Sequence, residues 1–365
     1  MTAPARRVAW RVVRRVFEEG AYADRALRGE ARGLDERDRA LARRIAYGTV
    51  QRVRTIDHGI EALGRRPVRK LDPAVLAALR CAAYELAWSD APAHAVADDA
   101  VELVREAGLE RATGFANAVA RRLAEGFPAL VEALPEGPLK HSYPDWVHEV
   151  FVRELGEEEA LALERAQNEP PPPDEAGGMS RASRLAAEVV GARPGERVLD
   201  ACAAPGGKTL VLAEAGAEVT AVEVNPGRAR RLAERVPAGV RVVEGDVRAL
   251  AESGFDRALV DAPCSGLGVL NRRPDLRWRA RPLPGLQLEL LRAAAERTRP
   301  GGTVVYAVCT LNADENEAVV DAAGLEPDPL GEERPEYAHP RRPEFLLTLP
   351  HRHGTSGFFV ARLRR

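Results

Sequence analysis

Three short segments carry the residue types with the greatest chemical capacity. Asp261-Ala-Pro-Cys264-Ser-Gly joins a carboxylate to a thiol, and Tyr306-Ala-Val-Cys309-Thr-Leu-Asn offers a second thiol. The third, Asp200-Ala-Cys202-Ala203-Ala204-Pro205-Gly206-Gly207-Lys208-Thr209, is a run of small residues closed by a lysine. A thiolate adds to electron-poor carbon, and a neighbouring carboxyl group or second thiol can move the accompanying protons. A lone cysteine is ordinarily a small hydrophobe. Two cysteines at the ends of adjacent strands, beside an aspartate, point instead to chemistry, and spacing alone leaves open which of them attacks. Cys81, in LRCAAYEL, has no such company and reads as core. Cys202 reads as packed beneath its turn with its backbone toward a ligand.

A strand that ends in such a turn and opens onto a helix lets backbone N–H groups approach a bound molecule. A nucleotide P-loop would need glycine six residues before the lysine, where Cys202 stands, so ATP is disfavoured. Glu223 closes the next strand roughly twenty residues on, where an acidic side chain accepts hydrogen bonds from ribose hydroxyls. Asp246, in EGD after a third strand, is either a turn cap or a second ligand contact. Only Lys70, Lys140 and Lys208 among the 53 basic residues are lysines. Lys208 therefore reads as a place where a compact ammonium cannot be exchanged for a planar guanidinium.

These segments need a scaffold. After Gly178, short apolar runs (ERVLDACA, AEVTAVEV, VRVVEGD, DRALVDAP, GTVVYAVCT) alternate with helical stretches, the pattern of a parallel sheet covered on both faces. EFLLTLP and GFFVARL, joined by HRHGTS, read as an antiparallel hairpin at the sheet edge. Residues 5 to 126 instead repeat apolar positions at helical spacing (Val8, Val12, Val16; Leu41, Ile45, Val50). Five to seven helices fit, with breaks at 33–38, where Asp35 can cap the next helix, and at 63–73 and 89–95. FPALVEALPEGP and NEPPPPDEAGG oppose regular structure, so 128–178 reads as a linker with one helix, starting near Pro144 and including Trp146, Val150 and Phe151. The expected organisation is an all-α domain (1–127), that reduced linker (128–178), and an α/β Rossmann-like domain (179–365).

The chain of 365 residues has 53 Lys+Arg and 55 Asp+Glu, but residues 1–70 hold 18 basic against 9 acidic groups. That basic front suits a polyanion. There is no apolar run of membrane-spanning length and no signal-peptide core, and the four cysteines include no CxxC pair. The expectation is a cytoplasmic, monomeric protein whose cysteines are free thiols, without a membrane segment or a metal site.

DACAAPGGKT, DAPCSGLG and YAVCTLNADENE resemble three signature motifs of the Sun-family, RsmB-like RNA 5-methylcytosine methyltransferases. ALRCAAYEL, APAHAVADDAVELV and GFANAVARRL resemble the NusB-type RNA-binding domain, and PHRHGTSGFFVARL resembles the family's closing motif. The resemblance implies a NusB-like helical domain before a Rossmann-like methyltransferase, S-adenosylmethionine as methyl donor, and a cytosine of small-subunit (16S) rRNA as acceptor. It implies that Cys202, Ala203, Ala204, Pro205, Gly206, Gly207 and Lys208 line the cofactor, with Glu223 on the ribose and Asp246 near the adenine. Asp261 would stand between the cofactor and the base, Cys309 would be the nucleophile, and Cys264 would assist product release. Arg272, Arg273, Arg277 and Trp278, in NRRPDLRW, are the expected RNA contacts. The chain departs from the family pattern in lacking most of a subdomain before the first methyltransferase strand, and in Glu223, Val308 and Ser356, where Asp, Thr and Asp are usual. Transfer RNA as substrate, or a non-catalytic RNA-binding role in ribosome assembly or antitermination, are the competing readings.

Overall fold

The computed structural model describes residues 2–171 and 179–365, which form two compact units. Residues 172–178, and with them the expected domain boundary at 178, lie outside the described residues. The first unit runs to Val152 and takes in Glu157–Glu169 and Leu270–Arg279. Its first part is seven α-helices among the described residues: α1 (Pro4–Glu18), α2 (Ala23–Glu30), α3 (Glu36–Gln51), α4 (Val53–Gly64), α5 (Pro73–Trp88), α6 (Ala93–Glu106) and α7 (Thr113–Ala133). The Asp35 side chain accepts from the Asp38 N–H at 2.7 Å, capping α3. Val8, Val12 and Val16 of α1 share one buried cluster with Ile45, Ile56, Leu79 and Phe127. The Trp10 Nε1–H is satisfied inside by the Ala74 carbonyl at 3.0 Å.

The structure corrects two expectations. Helix α7 runs through Pro128 to Ala133 although the proline removes one amide donor, and the fully buried Phe127 beside it anchors the turn. The stretch read as a linker with one helix contains three, α8 (Pro138–His141), α9 (Asp145–Leu155) and α10 (Glu157–Ala166). Tyr143, Val147, Phe151 and Leu163 are buried there, so this segment belongs to the helical unit's interior rather than to a tether. Helix α9 starts where expected and buries Val150 and Phe151.

The second unit orders α11 (Arg181–Glu188), β1 (Arg197–Asp200), α12 (Gly207–Glu214), β2 (Glu218–Glu223), α13 (Pro226–Arg235), β3 (Arg241–Glu244) and β4 (Phe255–Asp261). The chain then contributes α14 (Leu276–Arg279) to the helical unit before returning through α15 (Pro284–Arg297), β5 (Thr298–Val308), α16 (Glu317–Ala323), β6 (Glu326–Pro327), β7 (Leu346–Thr348), α17 (Pro350–His353) and β8 (Phe358–Arg364). The strand order is β3-β2-β1-β4-β5-β8-β6, with β7 also on β8. Strands β1 to β5 are parallel and β8 is antiparallel to β5. The closing hairpin is present, yet β8 is not an edge strand, since it lies between β5 and the short β6 and β7. Alternating connection through helices places both faces under cover, and Leu199, Ala221, Leu259, Val305 and Val360 are all buried. Register sets the site: Asp200 pairs with Ala221 and Leu259, Glu223 with Glu244, and Asp261 with Ala307, which brings the carboxyl ends of β1, β2, β4 and β5 to one edge. No helix among the described residues is long and apolar enough to cross a membrane.

Candidate active site

The two cysteines expected at strand ends on one edge of the sheet stand side by side. Cys264, three residues past the end of β4, and Cys309, directly after β5, place their sulfurs 3.3 Å apart, and both are partly buried. The Cys264 thiol is pushed well above its ordinary range by the Cys309 sulfur and by burial. Its loop is fixed from below: Gly268 donates its N–H to the Cys309 carbonyl at 3.0 Å, and Gly357 donates to the Gly268 carbonyl at 2.8 Å. Two glycines are required there, because a Cβ on Gly268 would lie 2.1 Å from the Gly357 oxygen.

Lys208 stands in the first turn of α12, with its side chain 9% exposed. Its ammonium donates to Asp261 Oδ2 and to Ser183 Oγ, each at 2.8 Å, and lies 5.1 Å from the centre of the Phe358 ring. Sequence reasoning misses Ser183 and Phe358, because each comes from an element remote in the chain and neither sits in a motif with chemical character of its own. Asp261 keeps Oδ1 free of hydrogen bonds from the described residues. Asp200 at the end of β1 accepts from Thr209 Oγ1 at 2.7 Å, its other oxygen is buried and unpaired, and burial pushes its carboxyl up to about 6.

Residues 187–364 match the family described as 16S rRNA methyltransferase RsmB/F, and residues 3–125 match the NusB family. The chain is 36% identical to the ribosomal RNA small subunit methyltransferase B of Thermus thermophilus, across 94% of this chain and 92% of that protein. It is 34% identical to a putative methyltransferase of Mycobacterium tuberculosis, across 99% and 96%. The chain belongs to the RsmB/F family. As a member of that family it is an S-adenosylmethionine-dependent RNA methyltransferase. The crystal structure of PH0851 shares the fold over the full length of both chains, with a TM-score of 0.78 and 22% identity. The alignment with the mycobacterial relative spans 445 positions against 365 residues here, so at least 80 positions of that relative have no counterpart.

The residues present fit the methyl donor of an RsmB/F enzyme. Gly206 caps α12 in the left-handed region at φ +98°, and with Cys202, Ala203, Ala204, Pro205 and Gly207 it forms a turn without large side chains at the sheet edge. Glu223 is buried, and its Oε1 takes the Asn225 N–H and the Arg228 guanidinium at 2.7 Å. Its Oε2 accepts nothing from the described residues and remains available to a ribose. Burial drives the Cys202 thiol far up, which suits packing and not nucleophilic attack. Asp246 is engaged on both oxygens by Arg248, which holds its carboxyl below the usual range.

The expected RNA contacts are not a set. Arg277 is fully buried within the helical unit, where its guanidinium donates to the carbonyls of Gln51 and Ser142 at 3.0 Å and to Asn168 Oδ1 and Tyr143 Oη at 2.9 Å. It lies 3.7 Å from the centre of the Tyr143 ring. Trp278 is partly buried and donates Nε1–H to the Val50 carbonyl at 2.6 Å. Burial inside the unit closes Arg277 off from RNA, and the Trp278 Nε1–H is already committed there. Arg273 sits over Tyr22 with its side chain 36% exposed, and Arg272 is half-buried. No group of three or more potential metal ligands occurs among the described residues.

Proposed function

We propose that this RsmB/F member methylates carbon 5 of a cytosine in small-subunit rRNA through a covalent adduct with Cys309. The observation that carries the reading is the 3.3 Å approach of Cys264 and Cys309, on the strand-end edge that also holds the Lys208–Asp261 pair. Carbon 5 of cytosine is a weak nucleophile until the Cys309 thiolate adds at carbon 6 and the ring electrons move toward carbon 5. Bound S-adenosylmethionine supplies an electrophilic methyl group on a sulfonium. Nitrogen 3 must gain a proton as the adduct forms. In this reading Asp261 is the carboxyl that carries it, and Lys208, 2.8 Å away, orients the Asp261 side chain. Cys264 then assists removal of the carbon-5 proton, directly or through a relay, and the Cys309 sulfur leaves as the ring regains its double bond.

The test is transfer of labelled methyl groups from S-adenosylmethionine to protein-free small-subunit rRNA, tRNA and duplex DNA, with the product nucleoside identified. The expected result is 5-methylcytosine in the rRNA, abolished by Cys309→Ala with cofactor binding retained. Cys264→Ala is expected to accumulate a covalent protein–RNA complex; full turnover by that variant would remove Cys264 from the mechanism. Label in tRNA alone would move the substrate, and the shorter chain gives that arm its weight.

A further inference from the structure

Glu315 follows Cys309 by six residues and is completely buried, yet no cation pairs with it among the described residues. Its carboxylate is satisfied by neutral donors instead. Oε1 receives the Ser265 N–H at 3.0 Å, the Leu283 N–H at 3.1 Å and the Gln287 side-chain amide at 2.9 Å. Oε2 receives the Ser265 hydroxyl. Because the Ser265 proton is committed to Glu315, the 2.7 Å contact between the Ser265 and Thr310 hydroxyls has Thr310 as its donor. Ser265 directly follows Cys264, and Thr310 directly follows Cys309. One carboxylate thus fastens the loop of each cysteine to the other, and Gln287 extends the hold by donating to the Pro263 carbonyl at 2.9 Å. From the other side, Tyr306 donates its hydroxyl to the Glu315 carbonyl at 2.6 Å.

We infer that Glu315 is a positioning residue, whose buried carboxylate, through Ser265 and Thr310, holds the Cys264 and Cys309 sulfurs at reacting distance. The inference rests on reading these cysteines as the reacting pair. A buried carboxylate with only neutral partners is costly to keep, and a fold needing only to cap α15 could do so at Leu283 with a serine or asparagine on the helix itself. What Glu315 adds is a connection between two loops from different strands. Glutamine in its place keeps one oxygen for the three N–H donors and turns an amide toward Ser265, which can then donate to Thr310. The bridge survives with its direction reversed. Alanine removes it.

Two measurements separate this from general structural support. Phenylarsine oxide condenses with two adjacent thiols to a cyclic dithioarsonite, releasing one water, and so reports the spacing of the pair without RNA or cofactor. The wild-type chain should capture it in a manner lost in Cys264→Ala and in Cys309→Ala. Glu315→Gln should retain capture and most methyl transfer, whereas Glu315→Ala should lose capture and lower kcat by about 100-fold, the scale of an ångström-size misplacement. The RNA KM and the affinity for S-adenosylmethionine should be unchanged in both. Thr310→Val, which deletes only the inter-loop hydroxyl bond, should reproduce the direction of the alanine variant, and it answers the question if Glu315→Ala does not fold. Arsenical capture and kcat preserved in Glu315→Ala or Thr310→Val would overturn the proposal, as would a loss of cofactor affinity in step with kcat. A wild-type chain that captures the arsenical in this pattern but makes no 5-methylcytosine would refute the proposed reaction and leave the positioning role standing.

Discussion

Arg277→Met should destabilise the helical unit and leave RNA binding unchanged in its salt dependence. The substitution keeps side-chain bulk and removes every guanidinium donor. It strands the Gln51 and Ser142 carbonyls and Asn168 Oδ1, three buried acceptors, while the His141 carbonyl keeps the Asn168 amide at 2.9 Å. Each stranded group costs about 1–3 kcal/mol. Part of this is returned because the guanidinium itself is desolvated, a penalty seen in the lowering of its pKa by burial. A net loss of about 3–4 kcal/mol follows, which for a unit of this size lowers Tm by roughly 10 °C. Thermal or denaturant unfolding of the full chain, followed by a signal from the helical unit, measures it. A phosphate-contacting arginine would behave in the opposite way: removing it would reduce the slope of log K against log salt by about 0.9 with little change in Tm. That second pattern would refute the assignment of Arg277 to the interior.

Burial raises the Asp200 carboxyl from 3.8 to about 6, so the folded chain retains a proton that the unfolded chain releases. Its stabilising contribution is intact below about pH 4 and lost as pH rises through 6, by about 3 kcal/mol at roughly 1.4 kcal/mol per pH unit. Denaturant unfolding should therefore show Asp200→Asn gaining on the wild type between pH 4 and 7 and level above it; a flat difference would contradict a raised Asp200. Gly268→Ala places a Cβ 2.1 Å from the Gly357 oxygen and must break the Gly268-to-Cys309 and Gly357-to-Gly268 hydrogen bonds. The expected cost is about 2 kcal/mol with a fall in methyl transfer, and unimpaired transfer would show that the loop can shift harmlessly. Lys208→Arg should lower turnover at least about 10-fold although it conserves charge, since a planar fork does not fit where the ammonium meets Asp261, Ser183 and the Phe358 face; steady-state kinetics with wild-type values would refute that.

The strands are legible because continuous apolar runs in a parallel sheet leave little choice of structure: β1 to β3 lie within their runs, and β4 and β5 end inside theirs but begin before them, at Phe255 and Thr298. The reactive edge is legible for the same reason: in a parallel sheet, residues that end strands converge. What the sequence conceals depends on partners remote in the chain. Helices α8 and α10 are short, and their stability comes from burying residues such as His141, Leu163 and Glu164, a tertiary effect that local proline and acidic composition hides. Arg277, set in NRRPDLRW, carries no local sign that its acceptors are Gln51, Ser142 and Asn168, each more than 100 residues away. The closing hairpin is visible, but its docking beside β5 follows from pairs such as Val308 with Phe359, which no local pattern specifies.

The electrostatics of the thiol pair bear on the choice that spacing leaves open. At 3.3 Å two sulfurs cannot both carry charge cheaply, so one proton is retained between them. Cys264 is the thiol whose ionisation is opposed, first by the Cys309 sulfur, then by burial, and further by the charge of Glu315. A Cys264 that stays protonated can donate its S–H to the Cys309 sulfur and stabilise negative charge there. In the proposed reaction Cys309 is the thiol that adds to carbon 6, and Cys264 must give up its own proton before it can assist removal of the carbon-5 proton. The family motifs imply the same division of labour. Beyond the positioning role inferred for it, Glu315 adds a charge that opposes ionisation of Cys264.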